Sequence, residues 1–203
     1  VQIAALGLYL KGCGLGGPDF RPRRINLVSA DVVLPGDVPP KEYLTRFGGG
    51  RDVEDLVKGI WRGLKNVREF GSLLHPERTI DEVVKRRREE DVRRYPMLQR
   101  GDEHWDQWKR DLLEGLREEF ERQAQTEDLG RRLFGEEAVK GIGLVEALGA
   151  RYDVVVANPP YKESGSLTQE HKEFVKKEYK NGNRDLCDAF VLRCRDFARV
   201  GGR

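Results

Sequence analysis

Tyr152-Asp153-Val154-Val155-Val156-Ala157-Asn158-Pro159-Pro160-Tyr161 is the stretch on which the reading of the fold turns. Its first six residues have an unbroken apolar centre, which predicts a strand buried on both faces of a parallel sheet. The next four join a rigid turn, an amide and an aromatic ring at the mouth of that strand. Two prolines in a row fix φ twice and remove two backbone donors. The Pro159 carbonyl then has a defined direction and no competing donor beside it, and the Asn158 amide oxygen is a second acceptor. Two acceptors aimed at one amine take up both of its hydrogens and leave the nitrogen lone pair free to attack. Tyr161 supplies a flat face for a base, a stack worth about 1–3 kcal/mol in single-strand binding. Open α/β sheets place their ligands just past the C-terminal ends of their strands. The plainer alternative is a Pro-rich turn with an incidental aromatic.

Working outward, residues 151–203 continue with a helix around 169–179 and a last one from about 185 to 200, with Leu186, Phe190, Cys194 and Phe197 as its buried stripe. Upstream, residues 52–150 read as helical. Val53, Leu56, Val57, Ile60 and Leu64 share one face. Thr79 and Glu82 have the spacing of a capping box that would start a second helix. Trp105, Trp108, Leu112, Leu116 and Phe120 line a third helix. Val139, Ile142, Val145 and Leu148 line a fourth, whose start Gly130, Gly135, Gly141 and Gly143 weaken. Residues 1–11 predict a helix that stops at Gly12, followed by a Gly/Pro-rich loop. Ile25-Asn26-Leu27-Val28-Ser29-Ala30-Asp31 reads as a short strand ending in an acid. The order predicts an α/β fold interrupted by a long helical insertion.

Charged residues make up 35% of the 203 and apolar ones 38%, so the chain is rich in surface for its length. A formal charge of +2 does not by itself argue for nucleic acid. Cys13, Cys187 and Cys194 form neither a zinc pattern nor an even disulfide set, which suits a reducing cytoplasm. No apolar stretch has membrane-spanning length and no signal peptide is visible. His75, His104 and His171 lie in no metal-ligand spacing, and no Ser or Cys sits in a nucleophile elbow or triad context. Lys85-Arg86-Arg87-Arg88 beside Glu89-Glu90-Asp91 reads as a solvated helix face. If DNA binds, that run with Arg93 and Arg94 is the first place for backbone contacts.

The stretch 152–161 resembles the catalytic motif of S-adenosylmethionine-dependent amino-methyltransferases, above all adenine-specific DNA methyltransferases of the large restriction and BREX phage-exclusion types. Residues 1–6 resemble the helix after that family's second strand. Residues 25–31 resemble its third strand, and Asn183-Arg184-Asp185-Leu186-Cys187-Asp188-Ala189-Phe190 resembles the helix after the catalytic loop. The resemblance implies a partial Rossmann-like class I methyltransferase fold. It assigns residues 1–42 to a partial core, 43–150 to a helical insertion, and 151–203 to the core carrying the catalytic loop. It implies that Asn158 and Pro159 bind the target amine, Pro160 keeps the loop rigid, and Tyr161 stacks on an adenine flipped out of DNA. Asp31 would contact the adenine of S-adenosylmethionine, or else be a solvated loop acid. DNA is the implied partner, with restriction or other defence proteins possible beside it. Methylation of protein glutamine or of RNA amines, and a non-catalytic helical interaction segment, stand as alternatives.

Two departures accompany the resemblance. The family's glycine-rich cofactor loop follows a first strand, and no such strand is present here. Gly12, Gly14 and Gly16 follow a helix and precede a strand, so residues 12–17 read as a flexible connection rather than a cradle. A start at Val1 and a stop at Gly201-Gly202-Arg203 read as cut ends of an internal fragment. The expectation is that these 203 residues alone fold poorly and are inactive.

Overall fold

A computed structural model describes residues 2–17, 27–34, 50–97, 100–159, 167–180, 182 and 185–202. Helix α1 (Gln2–Gly16) carries apolar residues on every side, and Leu6, Leu8, Leu10 and Leu15 are exposed. It does not stop at Gly12 but runs through the residues expected to be a flexible connection. It ends before Gly17, whose φ of 83° is the left-handed conformation that favours glycine after a helix.

Helix α2 (Gly50–Leu64) presents Leu56, Val57, Ile60, Trp61 and Leu64 to the core, at the helical spacing read from the sequence. A short helix α3 (Val67–Phe70) tightens into a 3₁₀ turn (Gly71–Leu73). Helix α4 (Glu77–Arg94) buries Ile80 and Val83. It starts two residues before Thr79, and no side chain caps it, so the expected capping box does not form. Pro76 occupies the N-cap instead, its ring already holding φ at −65°.

Helices α5 (Asp102–Ala124) and α6 (Leu129–Gly149) are joined by four residues and pack as a hairpin. Asp128 caps α6 by accepting from the Arg131 amide at 2.7 Å. Phe134 of α6 meets Phe120 edge-on and stacks on Trp61, with ring centroids 5.7 Å and 5.0 Å away. The glycines expected to weaken α6 lie inside it, and one of them lets the hairpin close. A Cβ on Gly135 would lie 2.4 Å from the Ala124 amide nitrogen and 2.6 Å from the Phe120 carbonyl oxygen. Gly143 faces open space. Gly135→Ala is therefore expected to lower stability by about 1–3 kcal/mol through backbone displacement. Gly143→Ala should raise it by up to about 1 kcal/mol through helix propensity alone. Urea unfolding of the two variants separates them, and a stabilised Gly135→Ala would contradict the close approach.

Helix α7 (Gln169–Glu178) is capped by Thr168, and helix α8 (Leu186–Phe197) by Asp185. The main core draws on α2, α4, α5 and α6 and also takes in Val32 and Phe197. A second cluster packs Phe70 and Leu73 against Leu167, Val175, Tyr179, Leu186 and Ala189.

The α/β expectation is overturned. Among the described residues there is no strand and no sheet, only a single parallel bridge between Tyr152 and Ala198. Residues 27–34 and 153–159 carry no regular structure, and Ile25 and Asn26 lie outside the described residues. The physical reason is pairing. A strand exists through its ladder, and no neighbour among the described residues offers one to residues 153–157. Val155 packs against the core while Val154 and Val156 are 66% and 89% exposed, so the apolar run has neither of the two covered faces its composition predicts. The described architecture is all-helical.

Candidate functional site

The candidate loop leaves the end of α6 through a stem tied to the end of α8. The Tyr152 amide donates to the Phe197 carbonyl at 2.8 Å, and the Arg199 amide donates to the Tyr152 carbonyl at 2.9 Å. The Tyr152 hydroxyl reaches back to the Ala147 carbonyl at 2.7 Å. Arg199 pairs with Asp153 at 2.9 Å, and Arg151 donates to the Asp196 carbonyl. Past this stem Asn158 is exposed and Pro159 half-buried. Asn158 therefore stands at the surface of the described residues. Pro160 and Tyr161 lie outside the described residues.

Asp31 sits on a segment that crosses the core surface, with Val32 buried beside it. The Val33 amide donates to a Glu137 carboxylate oxygen at 2.6 Å, and the Asp31 amide donates to the Ser29 hydroxyl at 3.1 Å. The Asp31 carboxylate is exposed and held by Arg68, whose Nε and terminal nitrogen both approach Oδ1, at 2.7 and 2.5 Å. No hydrogen bond or ion pair among the described residues joins Asp31 to Asn158 or Pro159.

The family model of the Eco57I restriction-modification methylases matches the chain over residues 1–203. The chain belongs to that family. As a member of the methylase family it is also 33% identical over 90 residues to the adenine-specific methyltransferase BrxX of Escherichia coli O9:H4 (strain HS). That match covers 44% of this chain and 8% of the relative, so the chain spans a small part of the length of that protein. No solved structure matches it.

A methylase draws on a methyl donor. Asp31, the residue expected to contact that donor, carries an exposed ion pair with Arg68. The cavity between α2 and α6 is wholly apolar in character, lined by Leu34, Val57, Trp61 and Ile142 among others. It offers a nucleotide no polar partner. No cluster of His, Cys, Asp or Glu suited to a metal occurs among the described residues. No described helix is long and apolar enough to cross a membrane, and all three cysteines are free thiols.

The basic run of this methylase chain is a salt-bridged helix face. Arg86 pairs with Asp55 at 3.2 Å, Arg87 with Glu90 at 3.8 Å and Arg88 with Asp102 at 2.8 Å. These exposed pairs contribute little to stability, but they already engage three of the cations that a phosphate backbone would need.

Sequence reasoning missed a polar cluster at the junction of α3, α4 and α8. The last carbonyls of a helix lack partners inside it, and here Ser72, Leu73 and Leu74 end the 3₁₀ turn. Arg193, 2% exposed, donates to the Ser72 and Leu74 carbonyls at 2.8 Å each. It also donates to Glu77 Oε1 and His75 Nδ1 at 2.7 Å each, and its guanidinium lies 4.2 Å from the Phe197 ring centre. The Tyr179 hydroxyl donates to the Leu73 carbonyl between them, at 2.5 Å. Burial pushes the Glu77 carboxyl up, but the contacts from His75 and Arg193 together outweigh it and hold the group well below the usual carboxylate range. Burial pushes the Tyr179 phenol up. The available signal was register. Leu186, Ala189, Arg193 and Phe197 are the residues α8 buries, and selecting apolar types alone put Phe190 and Cys194 in their place.

Proposed function

We propose that the chain is part of an adenine-specific DNA methyltransferase that serves restriction-modification or phage defence. The full-length enzyme would transfer a methyl group from S-adenosylmethionine to the exocyclic amine of adenine. The observation that carries this reading is Asn158-Pro159-Pro160-Tyr161 in a chain that matches a methylase family from end to end.

In this reading the Asn158 amide oxygen and the Pro159 carbonyl accept the two amine hydrogens. They hold the nitrogen with its lone pair directed away from the loop. An adenine in a duplex is out of reach, so the base must leave the stack, and Tyr161 offers the ring on which it rests. The exposure of Asn158 suits a large substrate arriving from outside. Restriction or other defence proteins are the partners this function calls for.

DNA is favoured over protein glutamine or RNA amines because the chain matches a restriction-modification methylase family and the BrxX relative is named adenine-specific. The test is transfer of labelled methyl groups by the full-length protein onto duplex DNA, ribosomal RNA and a translation release factor in parallel. Label on adenine N6 is expected. Label confined to protein or RNA would overturn the substrate class, and no transfer to any of the three would favour a non-catalytic helical segment.

A further inference from the structure

The backbone reaches Asn158 from two fixed points. Tyr152 is held by main-chain bonds on both sides, from its amide to the Phe197 carbonyl at 2.8 Å and from the Arg199 amide to its own carbonyl at 2.9 Å. Val155 packs against the core. Val156 and Ala157, both exposed, are all that separates Val155 from Asn158, and no hydrogen bond among the described residues holds Asn158 itself. The place of its amide is therefore set by the backbone upstream.

The turn that follows α8 closes on that backbone. The Gly202 amide donates to the Arg199 carbonyl at 2.8 Å, which folds residues 199–202 back against Asp153. The two glycines of the turn serve different ends. Gly201 has a φ of 81°, the left-handed conformation that side chains disfavour. Gly202 supplies room. A Cβ there would lie 3.0 Å from the Arg199 carbonyl oxygen, 3.1 Å from the Arg199 amide nitrogen and 3.2 Å from the Asp153 carbonyl oxygen. All three are main-chain atoms, and the Arg199 nitrogen is the one that donates to Tyr152. A side chain at this position must displace the turn or Asp153 by a few tenths of an ångström. Either movement works on the bond that fixes Tyr152. The ion pair between Arg199 and Asp153 spans the same gap, but both side chains are exposed and it adds little.

We propose that Gly202 is a positioning residue for methyl transfer. Its missing side chain lets the turn 199–202 clasp the stem at Tyr152 and Asp153, and the clasp fixes where the Asn158 and Pro159 oxygens meet the amine. This role rests on the methyltransferase reading, and the clasp itself does not. A misplacement of about 1 Å can cost about a hundredfold in rate, so the smaller displacement forced by a Cβ should cost about tenfold.

The test uses Gly202→Ala in the full-length protein. Hydrogen exchange read by mass spectrometry should be faster at the Tyr152 and Arg199 amides than in the wild type. Single-turnover methyl transfer to duplex DNA should slow about tenfold with DNA affinity unchanged, because the lost alignment acts at the reacting centre and not on binding. In an Asn158→Ala background the same substitution should cost about threefold or less, since one of the groups it positions is gone. A merely structural loss would carry through in full. Unchanged exchange at Tyr152 and Arg199 overturns the clasp. Faster exchange with an unchanged rate, or with the whole loss retained in the Asn158→Ala background, overturns the positioning role. Absence of any transfer to DNA by the wild type, or an Asn158→Ala variant as fast as the wild type, brings down the methyltransferase reading and the positioning role with it, while the exchange result still decides the clasp.

Discussion

Asn158→Ala in the full-length protein is expected to slow methyl transfer by about a hundredfold or more. The change removes one of the two acceptors that hold the reacting amine, and losing one polarising contact elsewhere costs that much. Asn158 is exposed and makes no structural hydrogen bond among the described residues, so the fold should not register the loss. Unchanged circular dichroism with collapsed single-turnover rates is the expected pair of results. Asn158→Asp retains an acceptor oxygen and should keep more of the rate than the alanine variant. Near-wild-type turnover in Asn158→Ala would remove Asn158 from the site.

The largest effect on stability is expected at Arg193. Arg193→Met keeps much of the side-chain volume but strands the Glu77 carboxylate, which is 12% exposed, together with the Ser72 and Leu74 carbonyls. Breaking a buried pair from one side costs about 3–5 kcal/mol. Arg193→Lys keeps the charge but cannot fork to two carbonyls and a carboxylate, so it should lie between the two. Removing the stranded acid as well, in Arg193→Met/Glu77→Leu, should recover part of the loss. Urea unfolding measures all three. A loss under about 1 kcal/mol for Arg193→Met would mean that the junction is not held in this way.

The helices were legible because their evidence is local. The faces of α2, α5 and α6 repeat at helical spacing, and Leu56, Leu116, Ile142 and Val145 are buried where that spacing puts them. Element boundaries were less legible where a competing residue decided them, as Pro76 did over Thr79 at the start of α4. The sheet was misread for a different reason. Residues 152–157 have the composition of a buried strand, but pairing is a property of two segments, and one segment's composition cannot supply the other. The Gly135 approach was invisible because a glycine's use lies in what it leaves room for. Asn158 and Pro159 could be read as a candidate pair from chemistry alone. The ion pair of Asp31 could not, because Arg68 lies 37 residues away in sequence.

The two helices that follow the candidate loop are fastened to one corner through main-chain oxygens. Arg193 takes the carbonyls of Ser72 and Leu74, and Tyr179 takes that of Leu73 between them. No side-chain replacement at these three positions can delete a carbonyl. The contact is therefore lopsided under mutation. Ser72 can change at little cost to the joint, while the joint can be lost by a single base change in the codon of either donor. Among descendants of this chain, Arg193 and Tyr179 should be held for the joint, while Leu73 is held for its packing rather than for its carbonyl and Ser72 is the position free to vary.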